Sequence, residues 1–160
     1  MFPLIHARTP QARIVLQSER VIRPYSPLED LTSRIIRCAI EVHRVLGPGL
    51  LESVYAECLS AEMRNASLSF QQKVRVPIIY KDVPVSGYLE VDFLVERAVI
   101  LEIKAVEKLA PVHQAQVITY LKMTGCQSGL LMNFNSVLLR DGLRRVDHPE
   151  LYRRRKNSET

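Results

Sequence analysis

The sequence has no apolar run approaching the ~20 residues that a membrane-crossing helix needs, so no membrane span is expected. Its opening stretch, MFPLIHARTPQARIVLQSER, holds no uninterrupted apolar segment and no small-residue cleavage site. A secretory leader is therefore not expected. Cysteine is scarce: Cys38, Cys58 and Cys126 are odd in number and far apart. That excludes a disulfide framework and fits reduced thiols in a cytoplasmic protein. There is no CxxC and no Cys/His group at zinc spacing. There is no GxGxxG, and Gly47-Pro48-Gly49 lacks the GK[ST] that would make it a phosphate loop. Internal repeats and low-complexity segments are absent too.

What remains is an ordinary globular composition, 47% hydrophobic and 24% charged over 160 residues. It suits one domain around one core. The net charge of +5 invites a nucleic-acid reading, so its location matters. Residues 1–25 carry four arginines against Glu19, and residues 150–160 carry Arg153, Arg154, Arg155 and Lys156 against Glu150 and Glu159. Residues 26–149 hold 14 basic and 14 acidic side chains and are neutral. The basic excess thus belongs to the two ends. Such ends hold phosphate backbones non-specifically at most, and a solvated tail is the plainer reading. The expected layout is an arm over 1–25, one domain over 26–148 and a basic tail over 149–160.

Ser26 followed by Glu29 has capping-box spacing. Leu31, Ile35, Ala39, Val42 and Leu46 recur at helical intervals, which predicts a helix over about 27–46 stopped by Gly47-Pro48-Gly49. A second helix is expected over about 50–65, turning Leu51, Val54, Cys58, Leu59 and Met63 inward. The period then becomes strand-like. Residues 70–80 form one strand, with Pro77 marking an edge or a bulge. Strands over about 85–95 and 98–106 follow a turn at 81–84. A third helix is expected over about 112–124, closing at Gly125. The apolar run 128–134 reads as a buried strand, and residues 138–146 as a last strand or helix.

The stretch VDFLVERAVILEIKAV, residues 91–106, puts Asp92, Glu102 and Lys104 into the most hydrophobic hairpin of the chain. Alternation places Ile100, Glu102 and Lys104 on one face, and Asp92 with Glu90 and Leu94 on one face of the preceding strand. A three-residue loop, Glu96-Arg97-Ala98, would pair Val95 with Val99 and set Asp92 opposite Glu102. A two-residue loop would send them to opposite faces. An odd-numbered loop is therefore predicted. Two opposed carboxylates, if buried, share a proton or need a cation between them. Hard oxygen ligands select Mg²⁺, Mn²⁺ or Ca²⁺. A solvent-facing acid pair with Lys104 bonded to Glu102 is the commoner arrangement in antiparallel sheets. The apolar character of AVILEIKAV on both faces favours burial instead, and buried charges need partners.

The pattern formed by Val91-Asp92, nine intervening residues and Glu102-Ile103-Lys104 resembles the D…(D/E)xK signature of the PD-(D/E)XK nuclease superfamily. GLLESVY (49–55) matches the GxxExxY motif that names a bacterial subfamily of it. AIEVHRVLGPGLLESVY (39–55), AVEKLAPVHQAQVITYLKMTG (105–125) and GLLMNFN (129–135) resemble the subfamily's other segments, in order, over roughly 27–146. The resemblance implies an α/β (α+β) fold: a restriction-endonuclease-like αβββαβ core with a mixed central sheet flanked by helices. It implies that Asp92 and Glu102 hold a metal, Mg²⁺ or Mn²⁺, that Lys104 is catalytic and that Glu52 completes the site. Gln116 and Tyr120 resemble the QxxxY motif of RecB-like members, and Tyr55 lies one turn from Glu52. Val91 stands where the superfamily name has proline.

Each residue also has a plainer reading. Glu52 suits a helix N-terminus, and Tyr55 and Tyr120 suit packing with a satisfied hydroxyl. Cys58 suits a small core position, His43 a helix C-terminus, and His113 a solvated first turn. Two functions are carried forward. The first is metal-dependent hydrolysis of DNA or RNA phosphodiesters. The alternative is a non-catalytic nucleic-acid-binding or protein-interaction module that keeps the nuclease fold.

Overall fold

A computed structural model describes residues 26–158. The arm expected over 1–25 lies outside the described residues, as does the side chain of Ser26. Helix α1 (Ser26–Leu46) ends where Gly47 takes φ +66°, and α2 (Glu52–Asn65) follows. Then come β1 (Phe70–Tyr80), β2 (Val83–Val95), β3 (Val99–Lys104), α3 (Pro111–Thr124) and β4 (Ser128–Asn133). A 3-10 turn (Leu139–Gly142) leads into β5 (Leu143–Asp147) and α4 (Pro149–Ser158). The expected basic tail thus contains a helix.

The five strands form one sheet in chain order. All neighbours are antiparallel except β3 and β4, which run parallel. A parallel pair needs a crossover, and α3 supplies it. The architecture is α+β with a mixed sheet between helices, as the sequence led us to expect. β1 is an edge strand, and its register shifts between Pro77 and Ile79, so Pro77 costs no interior hydrogen bond. Lys81 and Asp82, at φ +45° and +65°, form the two-residue turn into β2. Two positive φ values match the right-handed twist of the flanking strands.

Two cores sandwich the sheet. Leu31, Ile35, Ala39 and Val42 of α1 and Tyr55, Leu59 and Met63 of α2 pack on Phe93, Val95, Leu101, Ile103 and Leu130. Val117, Tyr120 and Leu121 of α3 pack on Val91, Ile100, Leu131 and Val146 of the other face. The inward residues of α2 differ from expectation. Leu51 and Val54 are exposed, while Tyr55, Leu59 and Met63 are buried at intervals of four. Leu51 is the extended N-cap, outside the helical phase, and the Tyr55 ring stacking on Phe134 at 4.6 Å sets that phase.

The β1–β2 ribbon inverts its faces halfway along. Phe93 and Val95 join the core under α1 and α2, whereas Leu89 and Val91 join the core under α3. Phe70 and Val74 of β1 divide in the same way. Strict alternation would keep each set together. The inversion falls at Lys73, which takes φ +50°, and at Asp92 in the facing position. The expected sharing of one face by Asp92, Glu90 and Leu94 is therefore not kept: Glu90 is exposed, Leu94 is buried, and Asp92 reaches toward β3.

Candidate active site

The loop between β2 and β3 is Glu96-Arg97-Ala98, and Val95 pairs with Val99, as the odd-loop argument requires. The ladder's last pair is Phe93 with Leu101, and continuing that register sets Asp92 opposite Glu102. Here the Asp92 side chain takes over from the ladder: its Oδ2 accepts the Ile103 N–H at 2.7 Å. Two consecutive positive-φ residues, Glu96 (+49°) and Arg97 (+55°), make the tight return. The loop is anchored where the Glu96 N–H donates to Ser69 O at 2.8 Å and Glu96 Oε1 accepts the Ser69 N–H, also at 2.8 Å.

Glu102 is 5% exposed. Lys104 Nζ lies 3.2 Å from Glu102 Oε1. Glu102 Oε2 is buried and, among the described residues, has no hydrogen-bond partner. A buried carboxylate oxygen left bare is costly, more so than a neutral acceptor. Burial raises the Glu102 carboxyl to a pKa of about 7, the Asp92 charge adds to the rise, and Lys104 opposes it. Asp92 is also raised, first by burial and then by Glu52 and Glu90, against the Ile103 N–H and Lys104.

Glu52 reaches the same place from another element. It opens α2, and its Oε1 accepts the Ala105 N–H at 3.3 Å, just beyond the end of β3. Its charge acts on both Asp92 and Glu102. The structure thus gathers Glu52, Asp92, Glu102 and Lys104 around the end of β3. They do not form a ready-made cage. Among the described residues, no three Asp, Glu, His or Cys side chains sit together closely enough to hold a metal ion alone. Two acids with open positions suit Mg²⁺ or Mn²⁺, because Mg²⁺ takes one or two carboxylates and fills the rest with water and phosphate. The bare Glu102 Oε2 is the oxygen that such an ion would satisfy.

Tyr120 of α3 is buried, and its hydroxyl is held well above the usual range by burial and then by the charges of Glu102 and Asp92. The Gln116 side chain beside that hydroxyl acts in the opposite direction. Tyr120 therefore lies near the carboxylates, and Gln116 reaches them only through the tyrosine hydroxyl. Tyr55 does not share this role. Its hydroxyl donates to Gly47 O at 2.6 Å and accepts the Leu50 N–H at 3.1 Å, pinning the loop that leads to Glu52. His113, expected to be solvated, is half-buried, and its Nδ1 accepts the Ala110 N–H at 3.0 Å, a cap for α3. Sequence reasoning missed Asn133. It is 2% exposed, pairs with Lys104 across β3 and β4, and clasps Val106 through both amide atoms. The available signal was an amide closing the apolar run SGLLMN.

No helix among the described residues is long and apolar enough to cross a membrane. Residues 29–146 match the PD-(D/E)XK nuclease superfamily. No curated protein and no solved structure matches the chain.

Proposed function

Since the chain belongs to the PD-(D/E)XK nuclease superfamily, we propose that it hydrolyses DNA or RNA phosphodiester bonds with Mg²⁺ or Mn²⁺ held by Asp92 and Glu102. The observation that carries this reading is the buried Glu102 Oε2, bare beside a second acid. When bound, such an ion supplies positive charge to the phosphoryl oxygens and acidifies water. The protein groups do the rest. Asp92 is fixed by the Ile103 N–H, which holds its carboxylate in place without reorganisation. Lys104 Nζ, held 3.2 Å from Glu102 Oε1, is placed to orient the attacking water or meet the charge growing on the phosphoryl group. Glu52, anchored at Ala105, adds a third acceptor for water at the edge of the site. Tyr120, buried on the side under α3, stands near the carboxylates, with Gln116 beside its hydroxyl.

The GLLESVY stretch supports placement in the bacterial GxxExxY subfamily, because it delivers Glu52 to the end of β3. Free Cys38, Cys58 and Cys126 support a reducing, cytoplasmic setting. The test is cleavage of labelled DNA and RNA with and without EDTA. Wild type is expected to cleave only with the divalent ion. Glu102→Ala and Lys104→Ala are each expected to abolish cleavage while retaining the wild-type circular dichroism spectrum. Equal residual cleavage in both variants would count against the assignment.

A further inference from the structure

Past the ends of β3 and β4 lies a cavity of about 230 Å³, walled by Glu107, Lys108, Asn133, Asp141, Gly142 and Arg144. Its place follows from the strand register. Asn133 pairs with Lys104, and Leu131 pairs with both Glu102 and Arg144. Glu102, Leu131 and Arg144 therefore form a row across β3, β4 and β5 on the face that packs under α3. Leu131, the middle of that row, is buried under α3, so the route to the cavity runs past the strand ends, where Asn133 lines it one strand spacing, roughly 5 Å, from Lys104. A nucleotide whose phosphate sits at Lys104 reaches the cavity there with its sugar and base.

The lining says which part of a nucleotide belongs there. Lys108 and Arg144 bring two cations, and Glu107 and Asp141 bring two anions. Among the described residues no ion pair joins these four: Asp141 faces Arg140 at 3.8 Å, and the Arg144 guanidinium donates only to the main-chain oxygens of Asp141 and Leu143. A bare phosphate would be repelled by as many charges as attract it. A nucleobase edge presents acceptors and amino hydrogens side by side, which Arg or Lys and carboxylates respectively recognise. Leu109 adds a half-buried apolar contact. At about 230 Å³ the cavity is smaller than the ~300–1,000 Å³ of drug-sized sites and has no room for a base pair.

The wall formed by Asn133, Ser136 and Gly142 is fixed. The Asn133 amide is bonded to Val106 N at 3.0 Å and Val106 O at 2.9 Å. His43 Nε2 donates to Ser136 O at 2.8 Å. Gly142 approaches the end of β4 so closely that an added Cβ would lie 2.6 Å from Asn133 O. A base therefore enters a preformed slot, and it must first leave its stack and its partner.

We infer that this cavity takes the base of an unpaired nucleotide adjoining the reacting phosphodiester, so that the substrate is single-stranded at the point of cleavage; this rests on the nucleolytic reading above. The test uses the full chain with Ca²⁺ in place of Mg²⁺, which balances the acids while binding is read before turnover. Fluorescence anisotropy is measured with labelled single-stranded DNA and RNA and with the matching duplexes. GMP, AMP, ribose 5-phosphate and inorganic phosphate are added as competitors. Single strands are expected to bind at least tenfold tighter than duplexes. GMP or AMP should compete, and ribose 5-phosphate and phosphate should not. Arg144→Ala and Glu107→Gln, both at exposed positions, should each weaken single-strand binding about tenfold and leave duplex binding unchanged. Equal binding of single strand and duplex overturns the inference, as do changes under twofold in both variants or competition by ribose 5-phosphate matching GMP. Cleavage that depends on Lys104 alongside such results would leave the nucleolytic reading standing and remove only the base site. Base-selective binding without cleavage under any divalent ion would do the reverse.

Discussion

Replacing Glu102 by glutamine should change stability by an amount that depends on pH, and the dependence can be worked out. The folded carboxyl has a pKa of about 7 against an ordinary value of 4.5, chiefly because it is buried. Below the ordinary value the group is protonated in both folded and unfolded chains. Between the two values only the folded protein keeps the proton. Stability from this group is therefore fully present in acid and is lost as pH rises through about 7. With 1.36 kcal/mol per pKa unit, the wild type loses about 2.5 kcal/mol between pH 5 and pH 8. Glutamine does not titrate. Any fixed penalty it carries, such as an amide group where the bare Oε2 now sits, cancels between the two pH values. Asp92, raised in the same direction, is present in both proteins. Urea melts at both pH values should show the stability of E102Q relative to wild type rising by about 2–3 kcal/mol from pH 5 to pH 8. That corresponds to roughly 5–10 °C in Tm for a chain of this size. Millimolar Mg²⁺ at pH 8 should stabilise wild type and not the variant. A relative stability that stays within about 0.5 kcal/mol between the two pH values would refute the buried-charge argument.

Three further changes probe other links. Asp92→Asn keeps an oxygen for the Ile103 N–H, so its stability should stay within about 1 kcal/mol of wild type. Its Mg²⁺ affinity, measured by calorimetry, should fall by more than the roughly 10–100-fold typical of outer-shell changes. Tyr55→Phe leaves Gly47 O and the Leu50 N–H without their partner, which should cost about 1–3 kcal/mol in chemical denaturation. Gly142→Ala forces a Cβ to within 2.6 Å of Asn133 O, with Ser136 Oγ closer still, and should cost about 1–3 kcal/mol in the same assay.

The register of the charged hairpin was legible because two local rules agreed. Side chains alternate, and only an odd loop keeps Asp92 and Glu102 within reach; Val95 pairs with Val99 accordingly. Helix α1 was legible from its apolar spacing and its glycine stop, and α3 from the Gly125 that closes it. The face inversion was not, because its turning point is Lys73, a lysine at φ +50° with no glycine to announce it. The role of Tyr55 was hidden because its hydroxyl partners, Gly47 O and the Leu50 N–H, are main-chain atoms that no motif names. Helix α4, PELYRRRKNS, lacks the apolar stripe that would have marked it as a helix. Glu52 was found by motif; its arrival at Ala105 depends on packing between α2 and the sheet, which spacing alone does not encode.

The face inversion and the acid pair are connected. If β2 kept strict alternation, position 92 would stand over a face of the sheet, and its carboxylate would compete with apolar neighbours for space. Because the ribbon turns over at this residue, the side chain is directed along the sheet to the Ile103 N–H, and Val91 still fills the core under α3. The strand thus presents a fixed carboxylate beside Glu102 without opening a hole in either core. What it does not do is balance the charge. Among the described residues, three carboxylates gather at the end of β3 around a single ammonium, and Lys104 touches only one oxygen of one of them. With all three ionised the net charge is −2. Protonation of Glu102 near pH 7 relieves half of it, and one divalent cation relieves the whole and covers the bare Oε2. A purely structural hairpin gains nothing from that deficit, since Val or Ile at position 102 would pack on the same face at no electrostatic cost.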